Sequence, residues 1–196
     1  MDKGRVLALA VCLAFSASAI AQEGEYSTEN GIYISAQGTM MQWVAPLVPG
    51  IPNLEDTSSG AQLLIGYRLM GGRLAFEVGA IDELTFREPL PSTPVATLAL
   101  GVESNFMRAL WRFTGDGPAS LIVGAGYHDV DYTASLTGGP PGVAFSDSES
   151  ESESSILVGG EIDGPALTLR IAYEQFLNLA DDQRNRAITF GVGYRF

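Results

Sequence analysis

The sequence predicts an all-β fold, an eight-stranded antiparallel up-and-down β-barrel whose strands cross a membrane. Three observations predict it. The last nine residues, Ile188-Thr-Phe-Gly-Val-Gly-Tyr-Arg-Phe196, carry apolar or aromatic side chains at 188, 190, 192, 194 and 196, a period of two with one greasy face. Left unpaired in an open sheet, such a strand would be a flat apolar edge prone to aggregation, so the first strand is its expected partner. After residue 21 no apolar run approaches the length of a transmembrane helix, so any crossing is made by strands. Strand-like segments also alternate strictly between short turns and longer loops.

Asp2, Lys3 and Arg5 followed by the apolar run Val6 to Phe15 and by Ala19-Ile20-Ala21 read as a secretory signal peptide over residues 1–21, leaving a barrel domain over 22–196 that starts at Gln22. The run is too short to span a bilayer as a helix. The only cysteine, Cys12, lies inside this segment, so the mature chain is expected to have no disulfide and no thiolate metal site. Losing Asp2, Lys3 and Arg5 moves the net charge from −12 to −13 and leaves arginine as the only cation, which argues against nucleic acid as a partner.

The strands are expected at 31–44, 60–70, 73–86, 95–113, 119–135, 154–162, 166–177 and 187–196. Gly71-Gly72 is a tight hairpin turn, and Thr114–Pro118 and Asp163-Gly164-Pro165 are the other short connections. The Pro-rich segment 45–59, the segment 87–94 and residues 136–153 and 178–186 are the longer loops. Three short periplasmic turns, four longer extracellular loops and an even strand count are the layout of an outer-membrane barrel.

Parity assigns the faces. Ala61, Leu63, Ile65, Tyr67 and Leu69 oppose Gln62, Gly66 and Arg68; Leu74, Phe76, Val78 and Ala80 oppose Arg73, Glu77 and Gly79. Leu167, Leu169, Ile171 and Tyr173 oppose Thr168, Arg170 and Glu174. An arginine facing lipid at mid-membrane costs about 2–4 kcal/mol, so the polar face is the lumen. A soluble barrel would have the reverse arrangement. Strand four is irregular, with Leu98, Leu100, Val102 and Phe106 on one parity and Ala109, Trp111 and Phe113 on the other. A bulge between Asn105 and Met107 would reconcile them, turning Arg108 and Arg112 inward and keeping Glu103 inside.

With these elements in place, the chain resembles the small eight-stranded outer-membrane barrels of the OmpA transmembrane-domain, OmpX and opacity-protein type. The resemblance rests on the opening strand Gly31-Ile-Tyr-Ile-Ser-Ala36, the Gly-rich inward positions and the closing Phe190-Gly-Val-Gly-Tyr-Arg-Phe196. It implies that Phe190, Gly191, Val192, Tyr194 and Phe196 form an assembly signal read by the barrel-assembly machinery. It also implies a monomeric outer-membrane protein surrounded by lipid and lipopolysaccharide, non-enzymatic, with surface loops that bind a surface or host ligand.

Three constellations could carry chemistry. Arg68, Arg73, Arg170 and Arg195 with Glu77, Glu103, Glu161 and Glu174 are expected to form a lumen ion-pair network, either a plug or, alternatively, a narrow porin-like channel. Residues 138–155 form an acidic Ser/Glu-rich surface loop whose Ser146–Ser155 segment alternates serine with four carboxylates; it lacks the ligand spacing of a calcium loop, so a solvated loop tip is expected, without a metal or cofactor. His128, with Asp129 and Asp131, raises a lipid A-modifying enzyme as a third reading. Barrel deacylases place serine two residues after the histidine, where this chain has Val130, so no catalytic residue is assigned.

Overall fold

Period-two alternation is realised as eight antiparallel strands joined in a ring. The computed structural model describes residues 30–45, 54–89, 97–114, 117–137, 146–177 and 185–196; the segment read as a signal peptide lies outside them. The strands are β1 (Gly31–Ala45), β2 (Leu54–Leu69), β3 (Leu74–Pro89), β4 (Thr97–Thr114), β5 (Ala119–Thr137), β6 (Ser146–Asp163), β7 (Leu167–Leu177) and β8 (Arg186–Arg195). Each pairs with its sequence neighbour, and β8 pairs with β1, Tyr33 opposite Arg195 through Gln42 opposite Arg186, to close the barrel. Closure removes the edges that an apolar strand cannot leave exposed.

Large apolar side chains point outward along every strand, among them Ile34, Leu63, Val78, Met107, Leu121, Val158, Ile171 and Ile188. Aromatic residues gather near the short-turn end of this belt, with Tyr67, Phe76, Trp111, Phe113, Tyr194 and Phe196 outward; Tyr127 and Tyr173 stand nearer the loop end. An apolar belt with aromatic margins around a charged interior suits hydrocarbon outside.

Two strands start earlier than their side chains suggest. The second begins at Leu54, where Leu54 pairs with Ala45, and the sixth begins at Ser146, opposite Ser135. The Ser/Glu segment read as a loop tip is therefore strand, because a hairpin ladder needs only backbone donors and acceptors and continues past the apolar belt regardless of side-chain polarity.

Among the described residues one register shift occurs, and it lies in β3. Ile81 faces Ser104 and Leu84 faces Val102, so the bulge sits at Asp82–Glu83. The bulge expected near Asn105 to Met107 is absent. Strand β4 pairs with β5 without interruption from Thr97 to Thr114, and every even residue from Leu98 to Arg112 is buried. Leu98, Leu100, Val102 and Phe106 are thus interior residues, and the loop-end half of the interior carries a large apolar share. Glu103 and Asn105 are outward and exposed. Glu103 does not belong to the lumen network.

Arg73 does not belong to it either. It is exposed in the turn between Leu69 and Leu74, which takes four residues, Met70 to Arg73. Met70, Gly71 and Gly72 have φ of 54°, 65° and 77°, a left-handed run that glycine permits at two of its three positions.

Candidate functional site

The site is the interior wall. At its short-turn end, β6 turns two carboxylates inward, Glu161 and Asp163, two residues apart on one face. Glu161 meets three guanidiniums. Its Oε1 accepts from Arg170 Nε at 2.7 Å, and its Oε2 lies 2.5 Å from Arg112 Nε and 3.3 Å from Arg68 Nη2. Asp163 accepts from Arg68 Nη1 at 3.1 Å, from Thr168 Oγ1 at 2.6 Å and from Arg112 Nη2. Arg112 also donates to the Gly72 carbonyl at 2.7 Å, which ties the network to the first short turn.

Further along the interior, Arg170 Nη1 approaches Glu77 at 2.6 Å as an ion pair off the hydrogen-bond direction, and the Tyr33 hydroxyl donates to the same carboxylate oxygen. Arg108 lies 3.7 Å from Glu77 and 3.0 Å from Glu174, with its guanidinium 4.0 Å from the centre of the Phe106 ring. The set contains four guanidiniums, Arg68, Arg108, Arg112 and Arg170, and four carboxylates, Glu77, Glu161, Asp163 and Glu174, all buried. Equal numbers matter, because an unpaired ion buried in a low dielectric costs several kcal/mol.

Of the residues expected in this network, Arg68, Glu77, Glu161, Arg170 and Glu174 are brought together. Arg195 is also inward, donating to the carbonyls of Gly164 and Pro165 at 3.1 and 2.9 Å across the third short turn. Arg108, Arg112 and Asp163 stand outside the expected set and belong to the network. The outward period of Met107, Ala109, Trp111 and Phe113 already required an inward Arg112, and extending the inward parity of Glu161 by one pair would have reached Asp163.

Above the charged layers stands His128, which is fully buried. Its Nδ1 is 3.2 Å from Ser104 Oγ, and its Nε2 is 2.9 Å from Glu174 Oε1 and 3.2 Å from Ser155 Oγ. Serine, histidine and glutamate stand in the sequence of an acyl-transfer triad. Yet the imidazole is wedged between Phe106 and Phe176, with ring centroids 5.5 and 4.7 Å away. Beyond it lies a buried apolar cluster that includes Met41, Leu84, Phe86, Leu100, Val102 and Val130, with Thr39, Ser58 and Glu153 buried in the same half. No group of His, Cys, Asp and Glu with metal-holding geometry occurs among the described residues.

The outward residues of the closing strand keep one face. Phe190, Val192, Tyr194 and Phe196 alternate with Gly191, Gly193 and Arg195, and the rings of Tyr194 and Phe196 meet edge to face at 5.1 Å.

The family of the outer membrane protein β-barrel domain matches residues 7–196. The chain belongs to that family. Solved members of the fold place it among small outer-membrane barrels. Neisserial surface protein A aligns with a TM-score of 0.61 at 17% identity, covering 86% of this chain and 99% of its own. Ail of Yersinia pestis, solved with the heparin analogue sucrose octasulfate, aligns with 0.58 at 16%, covering 85% and 99%. OprG of Pseudomonas aeruginosa aligns with 0.52 at 12%, covering 88% and 98%. At such identities the likeness is one of fold. No curated protein matches the chain in sequence. Apolar side chains such as Ile34 and Ile171 are exposed on the outer face of this barrel, the face that outer-membrane barrels turn to lipid.

Proposed function

We propose that this protein is a non-enzymatic outer-membrane barrel with a closed interior, whose working surface is the loop end. The observation that carries the reading is the filled interior, where the charge-balanced network at the short-turn end is followed by the buried apolar layer of Met41, Leu84, Phe86, Leu100 and Val102. An ion entering from either side would have to part a buried guanidinium–carboxylate pair and then cross apolar side chains, and both steps are costly. This favours a plug over the porin-like channel.

The Ser104–His128–Glu174 arrangement favours an enzyme as a second reading. We read it instead as hydrogen-bond closure of a buried imidazole, because Ser104 is only 5% exposed and His128 is wholly enclosed, leaving no position for an acyl substrate. A fluorophosphonate probe that labels Ser104 in the folded protein, with labelling lost in His128→Ala, would restore the enzyme.

The partner is proposed to be a surface or host ligand. A sulfated polyanion, the kind of ligand seen with Ail, fits this chain poorly, since it has a net charge of −12 and presents Asp147, Glu149 and Glu151 exposed at its loop end. Barrel-assembly machinery is proposed to read the outward Phe190, Val192, Tyr194 and Phe196 with Gly191, and lipid and lipopolysaccharide to surround the belt. The test replaces segments 46–53, 90–96, 138–145 and 178–184 in turn with short Gly/Ser linkers. Binding of whole cells to host or envelope proteins is expected to fall for at least one replacement while the barrel still runs as a heat-modifiable band. Stable ion conductance by the intact protein in planar bilayers would overturn the plug.

A further inference from the structure

On the outer wall, the side chains of β1 to β4 stand in rows across the sheet. Ile34, Ile65, Val78 and Met107 are neighbours in one row, all exposed. The next row towards the loops is Ala36, Leu63, Ala80 and Asn105, where the two alanines leave the surface low on either side of Leu63. A hollow of about 950 Å³ takes in Ile34, Ala36, Leu63, Ile65, Val78 and Ala80. A second hollow, of about 400 Å³, adjoins it on the loop side, sharing Leu63, Ala80 and Asn105 and adding Asp82 and Glu103. It lies where the β2–β3 ladder ends, at Gln62 opposite Ile81, beside the bulge at Asp82–Glu83.

The two hollows differ in chemistry. The larger is apolar and lies within the belt that faces hydrocarbon. The smaller carries two exposed carboxylates, Asp82 and Glu103, and Glu103 faces Asp131 directly across the β4–β5 ladder with both side chains outward. Like charges set opposite one another are unfavourable, and a cation against them relieves the repulsion. No group of carboxylates among the described residues has metal-holding geometry, which favours an organic cation over a metal ion. An apolar trough that runs into a carboxylate-lined recess matches a molecule with an alkyl chain and an ammonium head. A phosphate- or sulfate-bearing head would be set against Asp82 and Glu103 and repelled.

We propose that the outer wall of β1 to β4 binds one membrane lipid with a primary-amine head, its chain laid over Ile34, Ala36, Ile65 and Val78 and its ammonium group set against Asp82 and Glu103. Apolar contact holds the chain, and the carboxylates select the head. The site is on the lipid face, separate from both the loop end and the closed interior.

The test uses the full chain folded in phosphatidylcholine nanodiscs, with labelled Ala, Leu and Val methyl groups, titrated with octadecylamine at neutral pH and followed by nuclear magnetic resonance. Saturable shifts are expected at Ala36, Leu63, Val78 and Ala80, with Leu121 and Val158 on the opposite wall unmoved. Octadecanol, which has the same chain and no charge, should require about five- to tenfold more for the same shifts. The double variant D82N/E103Q, altered only at exposed side chains, should lose that preference while still running as a heat-modifiable band. Ala80→Phe, which fills the trough from an exposed position, should abolish the saturable shifts at Ala36 and Val78. Equal potency of octadecanol, an undiminished preference in D82N/E103Q, saturation that survives Ala80→Phe, or shifts spread evenly round the barrel would overturn the proposal and leave only bulk lipid contact. Shifts at Ala36 and Ala80 that arise without amine in nanodiscs loaded with two barrels would overturn it in favour of a second copy on this face.

Discussion

The ring of Phe190 occupies the space directly over Gly38, so that a Cβ on that glycine would stand 2.8 Å from the ring Cζ. The two residues face each other across the β1–β8 ladder, the seam at which the barrel closes. Glycine is required on one strand because an aromatic ring covers it from the other.

It follows that Gly38→Val should impair closure, because a branched side chain cannot share the space with the ring, and overpacking of this kind costs about 1–3 kcal/mol. The pair Gly38→Val with Phe190→Ala should recover part of the loss. Urea unfolding in lipid vesicles, read by heat-modifiability on gels, measures both. A fully additive double variant would show that the ring and the glycine are not coupled.

Glu161 should be the most costly carboxylate to remove. Glu161→Gln leaves the side chains of Arg68, Arg112 and Arg170 facing a neutral amide in a buried layer, and breaking a buried pair from one side costs about 3–5 kcal/mol. Glu103→Gln and Arg73→Gln, both at exposed positions, should shift unfolding by less than about 0.5 kcal/mol. Equal effects of all three in the same urea titration would contradict the interior network described above.

Lipid exposure makes a separate expectation. Ile171 is 61% exposed within the apolar belt, so Ile171→Arg should cost about 2–4 kcal/mol, whereas Ser152→Arg, on the outward face beyond the belt, should be nearly neutral. Vesicle unfolding of the two variants side by side checks the boundary of the belt. Near-neutrality at both positions would mean that water, not hydrocarbon, meets β7.

Tyr33 faces Gly66 across the β1–β2 ladder, and a Cβ at residue 66 would lie 2.3 Å from its ring. The same ring positions the hydroxyl that donates to Glu77. Gly66→Ala should therefore displace Tyr33 and lower stability by about 1–3 kcal/mol, and Tyr33→Phe should lower it by about 1–3 kcal/mol through loss of a charge-assisted hydrogen bond. Thermal unfolding of each variant, followed by circular dichroism, provides the measurement. An unchanged Gly66→Ala would place the ring elsewhere.

What the sequence by itself determined was the strand count, the order of turns and loops, and the facing of most strands. These are local properties, because alternation is written in each segment and a membrane punishes a misplaced arginine heavily. The inward positions of Arg68, Glu77, Glu161, Arg170 and Glu174 could be read from parity alone. Parity failed in β4, where the interior was assumed to be polar throughout; only the assembled barrel shows the apolar layer formed by Leu100 and Val102 with Phe86 and Met41 from other strands. The bulge was likewise a property of a pair of strands, and it fell at Asp82–Glu83 because the β3–β4 register, not the β4 sequence, carries the extra residue. Partner choice was decided only in three dimensions. Arg112 and Glu161 lie on strands that share no ladder, and their contact depends on curvature that brings β4 and β6 across the lumen. The strand character of Ser146–Glu153 also came from tertiary pairing, since β5 supplies the backbone partners that a run of serine and acidic residues does not provide for itself.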